Sequence, residues 1–261
     1  MVKTAFRIVF LGLALIVLTA CTAESDFSGT GAEIEENSRG AEMPVAEPLV
    51  IAYGQDTYTS LLIRNILLEA YSAINIPVTF QLLPAEESLP RLEAGEIDGE
   101  MARVPGVVSS YSNIIQVPAI VHSLDFLIVT RDDHRPVMSL SDLGSEQIGL
   151  VANSRITIEN TKGYNQVIAD STAEVISLLD KGEIDAAILE RYNTLYELMR
   201  LGNINATLTE LPLFSIDLYH YLHRSHADLV PRLSESLLRM NEQGDIQRII
   251  DIVNRQLFHG E

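Results

Sequence analysis

The tetrapeptide Gly-Glu-Ile-Asp occurs twice, at Gly95-Glu96-Ile97-Asp98 and at Gly182-Glu183-Ile184-Asp185. Each copy follows a run with apolar residues at helical spacing (Leu89, Leu92 and Ile176, Leu179) and precedes an apolar run. A helix that stops at a glycine able to take the left-handed C-cap conformation, then turns into a strand, explains both flanks. The spacing predicts that Ile97 and Ile184 start strands, with the aspartates at the strand entrances. Chance recurrence is the competing account, since these residues are common at such turns, but it does not reproduce both flanks. Two copies predict two αβ lobes built to one plan.

Around each copy the order is βαβαβ. Pro48–Tyr53 reads as a strand, Leu61–Tyr71 as a helix with a broad apolar face, and Val78–Leu83 as a second strand. Pro84 suits the first position of the next helix. The second lobe repeats this with Gln147–Val151, a helix after the loop Ala152–Arg155, Gln166–Ala169, and a helix capped by Ser171. Residues 105–117 are irregular, and 119–121 and 124–129 read as extended. Leu218–His223 also reads as extended, and two amphipathic helices follow, Ala227–Met240 and Asp245–Leu257. Repeated βαβαβ order implies parallel sheets with right-handed crossovers. A tail returning to the first lobe would make two strands cross between lobes, which is how a hinge is built.

The N-terminus is a separate matter. Lys3 and Arg7 precede the apolar stretch Ile8–Leu18, which is too short for a comfortable membrane span and reads as a secretory signal. Leu18-Thr19-Ala20-Cys21 resembles the bacterial lipobox, in which cleavage precedes the Cys and its thiol is lipidated. Cys21 is the chain's only cysteine, so an internal disulfide is excluded. An ordinary signal with an incidental Cys is the alternative. Thr22–Ala46 is polar and acidic, a composition that buries too little surface to fold, and reads as a flexible tether. The expected organisation is a lipoprotein signal at 1–20, a tether at 21–47, a first lobe at 48–124 with 217–261, and a second lobe at 125–216. The net charge of −18 becomes −20 once Lys3 and Arg7 leave with the signal, which excludes nucleic acid as a partner and favours a monomer.

The folded region from about Leu49 onward resembles the family 3 extracellular solute-binding proteins of bacterial ABC importers. The residues that carry the resemblance are Leu92-x-x-Gly95-x-Ile97-Asp98, Ser139-Leu140-x-Asp142-Leu143-Gly144 before Ile148–Val151, and Leu179-x-x-Gly182-x-Ile184-Asp185-Ala186-Ala187-Ile188-Leu189-Glu190. Asp228–Leu237 and Asn241-x-x-Gly244-Asp245-Ile246 resemble the family's ending. The resemblance implies the α/β type II periplasmic-binding-protein fold: two βαβ-type lobes, a hinge and an interlobe cleft. One departure bears on function. Amino-acid-binding members carry a Thr-x-x-Arg element whose Arg clamps the ligand carboxylate, whereas Gly106–Asn113 has no Arg. Asp98-Gly99-Glu100-x-x-Arg103 after Pro84-Ala85-Glu86 resembles a divergent subgroup instead.

Ligands of open αβ sheets sit at the carboxyl ends of strands beside helix N-termini. Four places meet that description. Gln55–Ser60, with Thr57 and Tyr58, offers hydroxyls and backbone N–H groups, or simply caps a helix. Arg103 faces a ligand, or pairs with Glu100 at the surface. In relatives the loop at Ser154 and Arg155 grips a ligand carboxylate; an exposed Arg155 is the plain alternative. Glu190 stands where relatives place an Asp that pairs with a ligand amine, or is an exposed acid paired with Arg191. Arg103 and Glu190 each lie five residues beyond a repeat Asp, so rough symmetry would bring opposite charges to one cleft, suiting a zwitterion.

His220-x-x-His223-x-x-His226 suggests metal ligands, but a spacing of three in extended chain alternates faces, so no metal and no cofactor are expected. Neither a phosphate loop nor a hydrolase elbow is present. The expected function is a lipid-anchored, membrane-attached binding protein facing the periplasm or cell exterior. It captures a small polar molecule, either a zwitterion or a ligand with separated donor and acceptor groups, for an ABC permease and does no chemistry. The alternatives are an exported dehydratase-like enzyme on the same scaffold and a ligand-sensing accessory lipoprotein.

Overall fold

The two Gly-Glu-Ile-Asp segments fold into the same turn, hydrogen bond for hydrogen bond. In the computed structural model, which describes residues 47–202 and 205–259, Gly95 and Gly182 have φ of +73° and +71°. The Gly95 N–H bonds to the Leu92 carbonyl and the Glu96 N–H to Arg91, and Gly182 and Glu183 repeat this with Leu179 and Leu178. This satisfies the orphan carbonyls at the helix end, as expected from the glycines. The strands then start two residues later than predicted, at Gly99 and Ala186 rather than Ile97 and Ile184. The aspartates are the reason. Asp98 N–H donates to the Val50 carbonyl at 2.9 Å while its carboxylate accepts the Val50 N–H at 2.7 Å. Asp185 does the same with Gln147, at 3.0 and 2.8 Å. Each carboxylate thus takes the last position of the ladder, and Ile97 and Ile184 drop into the core from the turn, both almost fully buried.

Among the described residues nine strands form a single sheet. In the first lobe β1 (Leu49–Tyr53) pairs in parallel with β2 (Val78–Leu82) and β3 (Gly99–Arg103). The second lobe repeats the arrangement: β5 (Gln147–Val151) lies parallel between β6 (Asn165–Ala169) and β7 (Ala186–Glu190). Between them run β4 (Ile114–Arg131) and β9 (Phe214–His223), antiparallel to each other; β9 also pairs with β3, and β4 with β7. These are the two crossing strands. β4 is one continuous strand beginning at Ile114, inside the stretch expected to be irregular. Its register with β9 shifts between Gln116 and His122, where Pro118 supplies no N–H for pairing. A short strand, β8 (Ala206–Leu208), adds to the end of β4.

Helices cover the sheet. In the first lobe α1 (Tyr58–Ser72) follows β1 and α2 (Ala85–Glu93) follows β2. Pro84 is the N-cap of α2, one place before the expected position. In the second lobe α3 (Leu140–Leu143) and α4 (Arg155–Asn160) are short, and α5 (Thr172–Asp180) precedes the second repeat turn. The segment after β7 forms α6 (Arg191–Leu201), which the apolar pattern did not reveal. The chain ends with α7 (Leu229–Glu242) and α8 (Asp245–His259), the first of these starting two residues later than expected. A short 3-10 turn, Arg224–His226, takes up the residues before it.

Each lobe has its own core. Ile51, Ile66, Leu67, Tyr71, Leu222 and Leu233 are among the buried residues of the first. Phe126, Ile148, Leu150 and Ile188 anchor one face of the second, and Val175, Leu179, Ile184 and Leu189 the other. A further cluster joins α1, α6 and α8: Tyr58, Leu62, Ile250 and Val253, with Tyr192 and Tyr196 packed on it. Val45–Glu261 is one compact unit. The signal peptide, Cys21 and nearly all of the tether lie outside the described residues. Among the described residues no helix is long and apolar enough to cross a membrane.

Candidate functional site

Arg103 and Glu190 are the last residues of β3 and β7, matching positions at the carboxyl ends of the two lobes' repeat strands. Their surroundings differ. Arg103 Nη2 lies 2.8 Å from Glu100 Oε1 and 3.2 Å from Ser88 Oγ, within the first lobe. It passes the end of β1 at Gly54, 3.8 Å from where a β-carbon would stand. The ion pair foreseen as a surface contact is buried instead, with the Glu100 side chain 1% exposed and Arg103 20%. Burial holds the Glu100 carboxyl above its usual range, while Arg103 and the Ser88 hydroxyl pull it back. Glu100 Oε2 and Arg103 Nε are buried without a hydrogen-bond partner.

Glu190 is also buried, and its carboxylate caps α6 by accepting the Tyr192 N–H at 3.0 Å and the Asn193 N–H at 2.9 Å. A third donor comes from the other lobe: the Thr59 hydroxyl on α1, at 2.7 Å. The exposed pairing with Arg191 does not form, because Arg191 turns to Asp125 at 3.2 Å. Desolvation raises the Glu190 pKa; the bonds from Asn193, Thr59 and Tyr192 oppose that, and Asp125 adds to it. Thr59 N–H donates to Asn193 Oδ1 at 3.1 Å. Tyr58 stacks on Tyr196, rings 5.4 Å apart, and its hydroxyl donates to Asn254 of α8. Burial pushes the Tyr58 hydroxyl up to about 12.

Thr57 caps α1, its hydroxyl accepting the Ser60 N–H at 3.1 Å. Gly54–Thr59 therefore runs from the Arg103 cluster at one end to Glu190 at the other, and is the shared edge of the two charged groups. Ser154 precedes α4, and its carbonyl accepts from the Thr157 hydroxyl. Arg155 is exposed. The three histidines turn to different partners: His220 to Tyr71 and Met101, His223 to Ser225, and His226 to Asp98.

One residue at the lobe boundary escaped the sequence reading. His122 lies on crossing strand β4, is 7% exposed, and sets its ring 5.7 Å from that of Tyr192. Its Nε2 is buried without a partner. Desolvation lowers its pKa to about 4 against the opposing pull of Asp125, so the ring is neutral at physiological pH. Beside it, Ser123 donates to Asp217 and Ser215 to Asp125, both at 2.6 Å across the β4–β9 pair. The site thus offers a buried carboxylate and a neutral imidazole at the lobe boundary, with a guanidinium held at the end of β3.

No family model matches the chain, and no curated protein matches it. Solved structures do match, all at low sequence identity. The GluR0 ligand-binding core in complex with L-glutamate superposes with a TM-score of 0.66 at 14% identity, covering 81% of this chain and 99% of that one. An ancestral arginine-binding protein bound to arginine gives 0.60 at 14% identity, covering 79% and 98%. A histidine kinase sensor domain similar to periplasmic binding proteins gives 0.60 at 18% identity, covering 80% and 96%. The fold is that of the type II periplasmic binding proteins.

Proposed function

We propose that this protein is a lipid-anchored extracytoplasmic binding protein that closes its two lobes, 48–124 with 217–261 and 125–216, on a small polar molecule. The observation that carries this reading is the placement of Arg103 and Glu190 at the ends of matching strands, bordered by the one loop Gly54–Thr59. Glu190 suits an ammonium or N–H donor, and Arg103 suits a carboxylate or other acceptor, so a zwitterion satisfies both. On this reading the loop at Ser154 and Arg155 would supply the second lobe's further contacts to the ligand. The protein works as a receptor without chemistry. Its partner is an ABC permease or, as the resemblance to a histidine kinase sensor domain favours, a signalling protein.

A thermal-shift screen of amino acids and related zwitterions, starting with L-glutamate, L-glutamine and L-arginine, tests the reading, since a ligand above its Kd raises Tm. For the ligand found, Glu190→Ala and Arg103→Ala should each weaken binding by roughly ten- to a hundredfold in calorimetry, the cost of one charge-assisted hydrogen bond. Unchanged affinity in both folded variants would move the site elsewhere in the cleft. No response to any small polar molecule would remove the binding function itself.

Residues 1–20 direct export, Cys21 carries the lipid, and 21–47 tether the lobes to the membrane. Cys21→Ser should transfer the protein from the membrane to the soluble exported fraction. Retention of the variant on membranes would rule the anchor out.

A further inference from the structure

The first turns of α1 and α6 meet across the lobe boundary, where Thr59 bonds to Glu190 and Asn193. Two such ends carry like partial charge and repel, and each exposes backbone N–H groups that need acceptors. Both problems are solved by side chains of the chain itself. The Glu190 carboxylate accepts from the Tyr192 and Asn193 N–H groups of its own helix and from the Thr59 hydroxyl of the other. The Thr59 N–H is one that the Thr57 cap does not reach, and it is taken up by Asn193 Oδ1 from the second lobe. One carboxyl group therefore takes up donors from both helix ends, and every hydrogen bond named here is within 3.1 Å. Next to these bonds the rings of Tyr58 and Tyr196 stack 6° from parallel, and Tyr58 is tied to α8 through Asn254.

We propose that these contacts form a latch, in which Tyr58 and Thr59 of the first lobe grip Glu190, Asn193 and Tyr196 of the second and close the lobes by protein contacts alone. Closing and ligand capture are then separable events. The closed form is populated by the bare protein, and a ligand that reaches Glu190 must replace the Thr59 hydroxyl there. Helix α8 belongs to the device: Ile250 and Val253 pack with Tyr58 and Leu62, while Asn254 holds the Tyr58 hydroxyl, so the C-terminal helix sets the position of the first lobe's half of the grip.

Nitroxides on Glu87→Cys and Asp170→Cys, exposed positions beside the carboxyl ends of edge strands β2 and β6, report the lobe separation in a full chain with Cys21→Ser. Pulsed electron–electron resonance on this protein with no added ligand should give one dominant short distance. Thr59→Val removes the interlobe hydroxyl at constant shape, and Tyr196→Ala removes the stack. Each should lower the closed-to-open ratio by about fivefold or more, the worth of one hydrogen bond or aromatic contact. Circular dichroism of each variant checks that the lobes remain folded; should one variant fail to fold, the other carries the test. A long or broad distance distribution in the parent, or a distribution that neither folded variant changes, overturns the latch. The measurement uses no ligand, so its outcome is independent of the screen that tests the binding function.

Discussion

Replacing Arg103 by methionine lowers the free energy of unfolding at about pH 7 by about 3 kcal/mol, toward the lower end of what removing one partner of a buried ion pair costs. The variant keeps the aliphatic length but leaves the Glu100 carboxylate, 1% exposed, with only Ser88 to compensate its charge. The lower end applies because Arg103 is itself 20% exposed, so the pair is partly screened. The loss depends on pH in a definite direction. The folded-state pKa of Glu100 is raised by burial and rises further once Arg103 is gone. A raised folded pKa contributes stability below the ordinary carboxylate range, and that contribution is lost as pH rises through the raised value. The deficit of the variant therefore shrinks on acidification, as Glu100 takes up its proton. Urea denaturation across the range from about pH 7 down to about pH 5 measures this. Adding Glu100→Leu to the same chain should recover most of the loss, since an apolar pair of similar volume removes the uncompensated charge. A small deficit that does not vary with pH would mean that Glu100 and Arg103 behave as a solvated pair.

The same cluster shows where sequence is sufficient and where it stops. Arg103 stands three residues from Glu100, so the pairing could be read locally, yet its burial could not: that depends on Ser88 and Gly54 from other elements. Gly95 and Gly182 were legible because a left-handed cap is decided within one turn of chain. The strand starts after them were misplaced by two residues because the Asp98 and Asp185 carboxylates reach Val50 and Gln147 on neighbouring strands. The lobe contact lay further out of reach. Thr59 and Glu190 are separated by 131 residues, and Tyr58 and Asn254 by 196. A serine- and threonine-rich helix start looks the same whether its hydroxyls cap a helix, hold a ligand or grip another lobe. Thr57 does the first and Thr59 the last.

The boundary between the lobes also decides how binding must work. Glu190 has three donors already, two of them fixed by the α6 backbone. Only the Thr59 hydroxyl can leave without unwinding a helix end. A ligand donor at Glu190 therefore exchanges one hydrogen bond for another, and its net gain comes from charge and from the remaining contacts, Arg103 among them. Weak apparent affinity in the native chain with tighter binding in Thr59→Val is the consequence that calorimetry would register, because the competing donor is gone.

Acidification from about pH 7 to about pH 5 destabilises the protein by about 2 kcal/mol for each of two histidines, His122 and His220, by the linkage between their folded and unfolded pKa values. Both rings are lowered by burial to about 4, from an ordinary value near 6.5. A lowered folded pKa gives stability that is complete above the unfolded value and is lost as pH falls toward the folded one. The two sites differ in how the neutral ring is held. His220 is fully buried, and its Nδ1–H donates to the Met101 carbonyl, which leaves Nε2 to accept from the Tyr71 hydroxyl at 2.7 Å. Protonation there makes Nε2 a donor to the phenolic oxygen of Tyr71, reversing that bond, and places an imidazolium inside the first core. At His122 the proton has no partner at Nε2, and the ring stands between β4 and Tyr192 at the lobe boundary. Glu100 and Glu190, both raised, act in the opposite sense and return some stability as they protonate, so the histidine contribution is read as a difference between variants. His220→Gln keeps an acceptor for Tyr71 and a donor for Met101, and His122→Phe keeps the ring beside Tyr192. Each should lower stability modestly at neutral pH and flatten the acid limb of the stability–pH curve by about one proton. Curves parallel to that of the native chain would show that neither histidine is held neutral by the fold.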